Sequence, residues 1–139
     1  MTNDYFTNLR LVLMTQIFLS VAAILGGLSV AAGAFASHAL REKISERSLE
    51  IFETGARYQM YHALALFLVA ILISRTESPQ PPLVASGWLF IIGIAIFSGS
   101  LYALSLTGIK SLGAIAPLGG TAFLAGWGAL AFAAWNLKL

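Results

Sequence analysis

The sequence contains no cysteine and little charge. Of its 139 residues, 10% are charged and 58% are hydrophobic. The absence of cysteine excludes disulfide bonds, thiolate metal sites and thiol nucleophiles. A soluble domain usually carries about 25% charged residues, and a short chain exposes a large share of its surface. Eight basic and six acidic residues are too few to cover such a surface. The composition therefore excludes a soluble globular domain and also a disordered chain.

Long charge-free segments mark the expected membrane spans. Crossing the hydrocarbon core of a bilayer, about 30 Å thick, takes roughly 20 helical residues. A transmembrane barrel would instead need segments of about ten residues with alternating polarity, which is not the pattern here. We therefore predict an all-α protein, a single-domain integral membrane four-helix bundle. Its expected spans cover residues 11–36, 58–73, 83–106 and 112–137.

The connection between the first two spans is rich in charge and is predicted to be helical. Eight of the fourteen charged residues lie between Arg41 and Arg57. Apolar side chains recur there at steps of three and four residues, in the series Leu49, Phe52, Ala56, Met60, Ala63 and Phe67. This spacing is typical of one apolar helix face. We predict an amphipathic interfacial helix over residues 45–57 that runs into the second span.

Four spans place both chain ends on one side of the membrane. We name this side A; it includes the loop at 75–82. Side B contains the connection at 41–57 and the turn around Gly108. Side A carries three basic residues, Arg10, Arg75 and Lys138. Side B carries five, namely Arg41, Lys43, Arg47, Arg57 and Lys110. Because lysine and arginine are more frequent in cytoplasmic loops, this balance favours side B as cytoplasmic.

Small residues at four-residue spacing predict close helix packing in the first and fourth spans. Helices in lipid associate through small side chains that let backbones approach. Pro117, near the start of the fourth span, is expected to bend that span. The small-residue faces are Ala22 with Gly26, Ser29 with Gly33 and Ser37, and Ala122 with Gly126.

Polar residues within the spans collect in the half nearest side B. Polar groups at membrane depth are costly unless they face the bundle, a partner or water. The simpler interpretation is that they bond one another and the free backbone groups at helix ends. The alternative is a polar pocket for a ligand, open to side B. The candidate cluster contains His38, Glu53, Arg57, Tyr58, Gln59, Tyr61, His62, Ser98, Ser100 and Tyr102.

His38 and His62 are the only two histidines in the sequence, and their imidazole nitrogens are possible metal ligands. Imidazoles on neighbouring helices could ligate a haem iron or a transition metal. However, no carboxylate accompanies them and no haem motif is present. We interpret them as ordinary interfacial histidines and predict no cofactor and no metal site.

Arg57 allows two interpretations. Glu53 lies one helical turn before it, so the two side chains can neutralise each other where lipid begins. Alternatively, Arg57 anchors a lipid phosphate or another anion with the help of Tyr58 and Tyr61. The first interpretation is the simpler one, because arginine near a helix end commonly extends its charge towards water.

Four sequence blocks carry a resemblance to a known family. They are residues 33–40 (GAFASHAL), 52–65 (FETGARYQMYHALA), 97–102 (FSGSLY) and 117–120 (PLGG). Together they resemble the YgdD-like family of small bacterial multi-pass membrane proteins, which is classified as a domain of unknown function, family 423. The resemblance implies a four-helix integral protein of the bacterial inner (cell) membrane. It supplies no activity and no catalytic residue.

The sequence is most consistent with a non-enzymatic protein. No catalytic triad and no pair of acidic residues at membrane depth is evident. We therefore expect an accessory protein, or one that binds lipid or a small hydrophobic molecule, with the polar cluster at one membrane face. The alternative is a small-solute transporter or channel. The expected partners are membrane lipids, not nucleic acid, and the sequence leaves open a homo-oligomer or a larger membrane complex.

Overall fold

A computed structural model describes residues 2–78 and 80–136 and shows four long helices. They are α1 (Thr2–Phe35), α2 (Glu46–Ser74), α3 (Pro81–Thr107) and α4 (Ala116–Asn136). All four are long and apolar enough to cross a membrane. The predicted all-α membrane bundle is confirmed. The expected end of the fourth span at residue 137, and Lys138 on side A, lie outside the described residues.

Short segments complete the side-B ends of the helices. A wider, π-type helical turn, Ala36–Leu40, extends α1, and a 3₁₀ turn, Lys110–Ala114, precedes α4. Helix α3 ends at Gly108, whose φ of 72° is in the left-handed region and whose N–H bonds the carbonyl of Leu104. Glycine suits this position because it has no Cβ to oppose a left-handed backbone.

The predicted interfacial helix is the first part of α2, continuous with the membrane span. Ser45 caps α2 by accepting a hydrogen bond from the Ser48 N–H at 3.1 Å. The helix has 29 residues, so it is about 43 Å long at about 1.5 Å per residue. This exceeds the hydrocarbon thickness, so its charged first turns extend into the side-B interface. There Phe52 packs with Ala36 and Leu40 of the α1 extension.

Each helix packs against the next one along the chain. Helix α1 lies along α2, α2 along α3, and α3 along α4. The side-A half is a closely packed apolar core. Its fully buried side chains are Phe18, Leu66, Val69, Ile73, Leu83 and Phe90.

Phenylalanine residues packed onto glycines join α3 to α4. Phe97 of α3 lies against Gly119, and Phe90 lies against Gly126. In the opposite direction, the Phe123 ring of α4 lies against Gly93. The Phe90 and Phe123 rings occupy the space that a Cβ atom would need at Gly126 and Gly93, and the backbone of Phe97 occupies it at Gly119. The glycines therefore allow the two backbones to approach closely.

The expected small-residue face of α1 is only partly used. Ala22 and Ser29 are buried, whereas Gly26 and Gly33 have open space around them. The prediction that these glycines pack against a neighbouring helix is therefore wrong within this chain. The spacing of small residues in the sequence does not by itself predict which of them pack against another helix.

Pro117, the residue at which a bend of the fourth span was expected, lies at the start of α4. Helix α4 begins at Ala116, so Pro117 lies in its first turn. A proline there removes no intrahelical hydrogen bond, because the first N–H groups of a helix have no partner within it.

We predict that Gly119→Ala destabilises the protein by about 1–3 kcal/mol, because the added Cβ would meet the backbone of Phe97. Gly128, on the same helix, would place an added Cβ in open space, with nothing within 4 Å of it. The control Gly128→Ala should therefore be neutral or stabilising by up to about 1 kcal/mol. Thermal unfolding in detergent measures both variants. Equal stability of the two would contradict the close packing of α3 on α4.

Candidate functional site

Gln59 joins three helices in the side-B half. Its side chain is 5% exposed. The Nε2 atom donates to the Leu25 carbonyl of α1 at 2.8 Å, and Oε1 accepts from the Tyr102 hydroxyl of α3 at 2.9 Å. Both ends of the amide are thus bonded across helix boundaries. Such bonds favour association in lipid, where an unpaired amide is costly.

Two buried serines add bonds on either side of Gln59. Ser29 of α1 donates to the Ala56 carbonyl at 2.6 Å, and Ser98 of α3 donates to the Gly55 carbonyl at 2.8 Å. A Cβ at Gly55 would lie 3.1 Å from the Tyr102 ring, so the glycine allows that ring to pack against α2. Together these side chains form a polar network that fixes α1 and α3 on α2.

His62 links α2 to α4. Its Nδ1 atom lies 2.7 Å from the Tyr58 carbonyl, and its Nε2 atom lies 3.1 Å from the Trp127 indole N–H. Because the indole can only donate, Nε2 accepts and Nδ1 carries the proton. The imidazole is stacked on Phe123, with ring centroids 3.4 Å apart and an angle of 7° between the planes. Both ring nitrogens are therefore occupied by protein groups.

A cavity of about 660 Å³ lies beside this histidine, which we name the aromatic cavity. Its volume falls within the range of small-molecule sites, about 300–1,000 Å³. The hydroxyls of Tyr58 and Tyr61 form no hydrogen bond with any residue that the structure describes. The lining residues are Tyr58, Tyr61 and His62 of α2, Phe97 of α3, and Pro117, Gly120, Thr121, Phe123, Leu124 and Trp127 of α4.

A second cavity, of about 500 Å³, lies nearer side B, and we name it the charged cavity. Phe97 borders both cavities. Arg47 and Glu50 form an ion pair at 3.2 Å, the one ion pair among the side chains that the structure describes. The charged cavity is lined by Arg47, Glu50, Ile51, Glu53, Thr54 and Arg57 of α2, with Phe97 and Leu101 of α3.

The structure brings most of the predicted cluster together, in three different settings. Gln59, Ser98 and Tyr102 lie in the polar network. Tyr58, Tyr61 and His62 line the aromatic cavity, and Glu53 and Arg57 line the charged cavity without an ion pair between them. His38 is exposed in the α1 extension and has no described contact with His62. Ser100 bonds the Phe97 carbonyl of its own helix at 2.9 Å.

Sequence reasoning missed the part of the site on α4. Trp127 and Phe123 contact His62 from α4, yet neither was among the candidate residues. A signal was present for Trp127. It lies in the middle of a span, whereas tryptophan is enriched at interfaces, and its indole N–H needs a partner when buried.

The fold and this side-B site define a small, four-helix integral membrane protein. The family model described as "Protein of unknown function (DUF423)" matches residues 32–120, and the chain belongs to this family. The resemblance found in the sequence is thereby confirmed. No solved structure matches the chain.

Bacterial membrane proteins are among its relatives. The UPF0382 membrane protein YwdK of Bacillus subtilis is 47% identical over 112 residues, which cover 81% of this chain and 90% of that protein. A UPF0382 membrane protein of Haemophilus influenzae is 40% identical over 125 residues, covering 90% of this chain and 98% of the relative. These names agree with a multi-pass protein of the bacterial inner membrane.

We predict that Tyr102→Phe lowers the free energy of unfolding by about 0.6–1.5 kcal/mol, because Gln59 loses its hydrogen-bond donor from α3. The matched control is Tyr61→Phe, which removes a hydroxyl without a described partner and should change stability by less than about 0.5 kcal/mol. Unfolding in detergent, followed by circular dichroism, compares them. A control as destabilised as Tyr102→Phe would mean that the Gln59 bond contributes nothing specific.

Proposed function

We propose that the protein binds a lipid or another small hydrophobic molecule in the aromatic cavity, without catalysing a reaction on it. The observation that carries this proposal is the 660 Å³ cavity between α2 and α4, walled by aromatic rings. The rings of Tyr58 and Phe97 lie 4.9 Å apart, and those of Phe97 and Phe123 lie 5.5 Å apart. Such a wall offers a large apolar contact area to a hydrocarbon chain.

The position of the cavity supports entry from the bilayer. Leu124 on its rim is 76% exposed, and Tyr61 is 52% exposed. Both residues lie on membrane-spanning helices, so this exposed rim faces lipid and not the aqueous phase. A hydrophobic ligand can therefore move sideways from the membrane into the cavity. The free hydroxyls of Tyr58 and Tyr61 can bond an oxygen atom on that ligand.

The polar groups near the cavity support binding and positioning. Among the described residues, no buried side-chain nitrogen or oxygen lacks a hydrogen-bond partner. His62 in particular uses both ring nitrogens within the protein. Because these polar groups are already bonded within the protein, they hold the cavity walls in place. Their full use within the protein favours a binding role over a catalytic one.

A small-solute transporter or channel has less support. Below the polar network, towards side A, the helices meet through fully buried apolar side chains such as Leu66, Val69 and Phe90. A water-filled path through the bundle would have to pass through this core. A binding site that opens sideways needs no such path.

Trp127 allows a direct test of the proposed function. We predict that, in a variant with Trp88→Phe and Trp135→Phe, brominated lipids quench Trp127 fluorescence by saturable binding. The vesicles would contain phosphatidylethanolamine, phosphatidylcholine and phosphatidylglycerol in equal parts, with a rising fraction brominated on the acyl chains. Trp135, which is 90% exposed, serves as the bulk-lipid reference in a second variant with the other two tryptophans replaced.

A matched pair of glycine substitutions completes this test. Gly120 lines the cavity, and a Cβ there would lie 4.0 Å from Phe97, so Gly120→Leu should fill the space and return the quenching of Trp127 to the bulk level. Gly128→Leu adds the same side chain outside the cavity and should leave quenching unchanged. If Trp127 follows the bulk reference before any glycine is replaced, the proposed function is wrong.

A further inference from the structure

The two cavities lie next to each other along α2 and share Phe97 as a lining residue. The lining residues Ile51, Thr54, Tyr58 and Tyr61 recur at three- and four-residue steps on one helix face. The charged cavity lies on the side-B end of this face, and the aromatic cavity lies deeper in the membrane. A ligand that fills both must be charged at one end and apolar at the other, which is the general form of a membrane lipid.

The formal charges that line the charged cavity are balanced. Helix α2 contributes Arg47, Arg57, Glu50 and Glu53, whose formal charges sum to zero, and α3 contributes only Phe97 and Leu101. Arg47 and Glu50 are paired with each other at 3.2 Å. Glu53 and Arg57 form no ion pair with any side chain that the structure describes.

These two unpaired side chains have opposite signs and lie one helical turn apart. Residues at this spacing have their Cβ atoms about 5–6 Å apart. Glu53 also borders a smaller cavity with Arg41 towards α1, again without an ion pair. At the edge of the hydrocarbon region an uncompensated charge is unfavourable, so a ligand with one positive and one negative group can satisfy both side chains.

Building on the proposed function, we propose that the site selects a zwitterionic aminophospholipid of the phosphatidylethanolamine class. Its phosphate binds Arg57, its primary ammonium binds Glu53, and one acyl chain lies in the aromatic cavity. A purely anionic headgroup would satisfy Arg57 but repel Glu53. A quaternary ammonium headgroup carries the right charges, but it has no N–H group with which to bond the Glu53 carboxylate.

Headgroup competition tests this proposal with Trp127 as the only tryptophan. Each lipid class in turn is brominated on its acyl chains while the other two remain unbrominated. We expect brominated phosphatidylethanolamine to reach half-maximal quenching at a mole fraction about two- to fivefold lower than phosphatidylcholine or phosphatidylglycerol. This range corresponds to exposed ion pairs worth up to about 1 kcal/mol.

Charge-removing variants test the assigned roles. Glu53→Gln should transfer the preference to anionic phosphatidylglycerol, because the repulsion is removed and Arg57 remains. Arg57→Gln should remove the advantage of phosphatidylethanolamine. Glu77→Gln and Arg75→Gln, on side A and outside both cavities, are the matched controls and should retain the original preference. Both Glu53 and Arg57 are exposed, so neither substitution disturbs the core.

The outcomes separate this inference from the proposed function. If Trp127 saturates before the Trp135 reference but all headgroups are equivalent, or phosphatidylglycerol binds best to the unaltered site, the headgroup assignment is wrong and the lipid-binding function stands. If Trp127 follows the bulk reference with every lipid, both are wrong. Displacement of the brominated lipid by soluble glycerophosphoethanolamine would show that the headgroup alone is the ligand, which would also overturn the proposal.

Discussion

The structure depends on one constraint: inside a bilayer, exposing apolar side chains has no cost, so burial of apolar surface does not hold helices together. What remains is close backbone packing and hydrogen bonding between helices. The phenylalanines on glycines supply the packing between α3 and α4. Gln59, Ser29 and Ser98 supply the bonds that hold α1 and α3 on α2. The primary role of these few polar residues in the spans is therefore to hold the helices together.

The same constraint shapes the candidate site. Helix α4 is joined closely to α3, but it reaches α2 through side chains, with Trp127 bonded to His62 and Phe123 stacked on it. Rings that bridge two helices hold them at a distance, and the space left beside them is the aromatic cavity. The polar network, the stacked rings and the cavity thus all adjoin α2. The site is apolar and aromatic because its polar neighbours are already bonded to one another.

Much of the fold could be read from the sequence, but less of the site. The scarcity of charge predicted four helices, and the stripe of apolar residues predicted that the charged connection runs into the second span. The same stripe was a poor guide to burial further along α2. Phe67, a member of it, is 43% exposed, whereas Gln59 and His62 are each 5% exposed. Polar side chains in this part of α2 mark its buried face better than large apolar ones do, because a polar group exposed to lipid is costly.

The sequence by itself determined the class of protein, because the length and charge of a segment decide whether it can cross a bilayer whatever its neighbours are. It also determined that polar groups gather near side B. Only the tertiary structure decided which of them meet. Gly119 and Gly126 pack against phenylalanines of α3, whereas Gly26 and Gly33 have open space around them, and Trp127 reaches His62 across 65 positions of the chain. Such contacts depend on how the helices are rotated and spaced relative to each other, and no local pattern records that geometry.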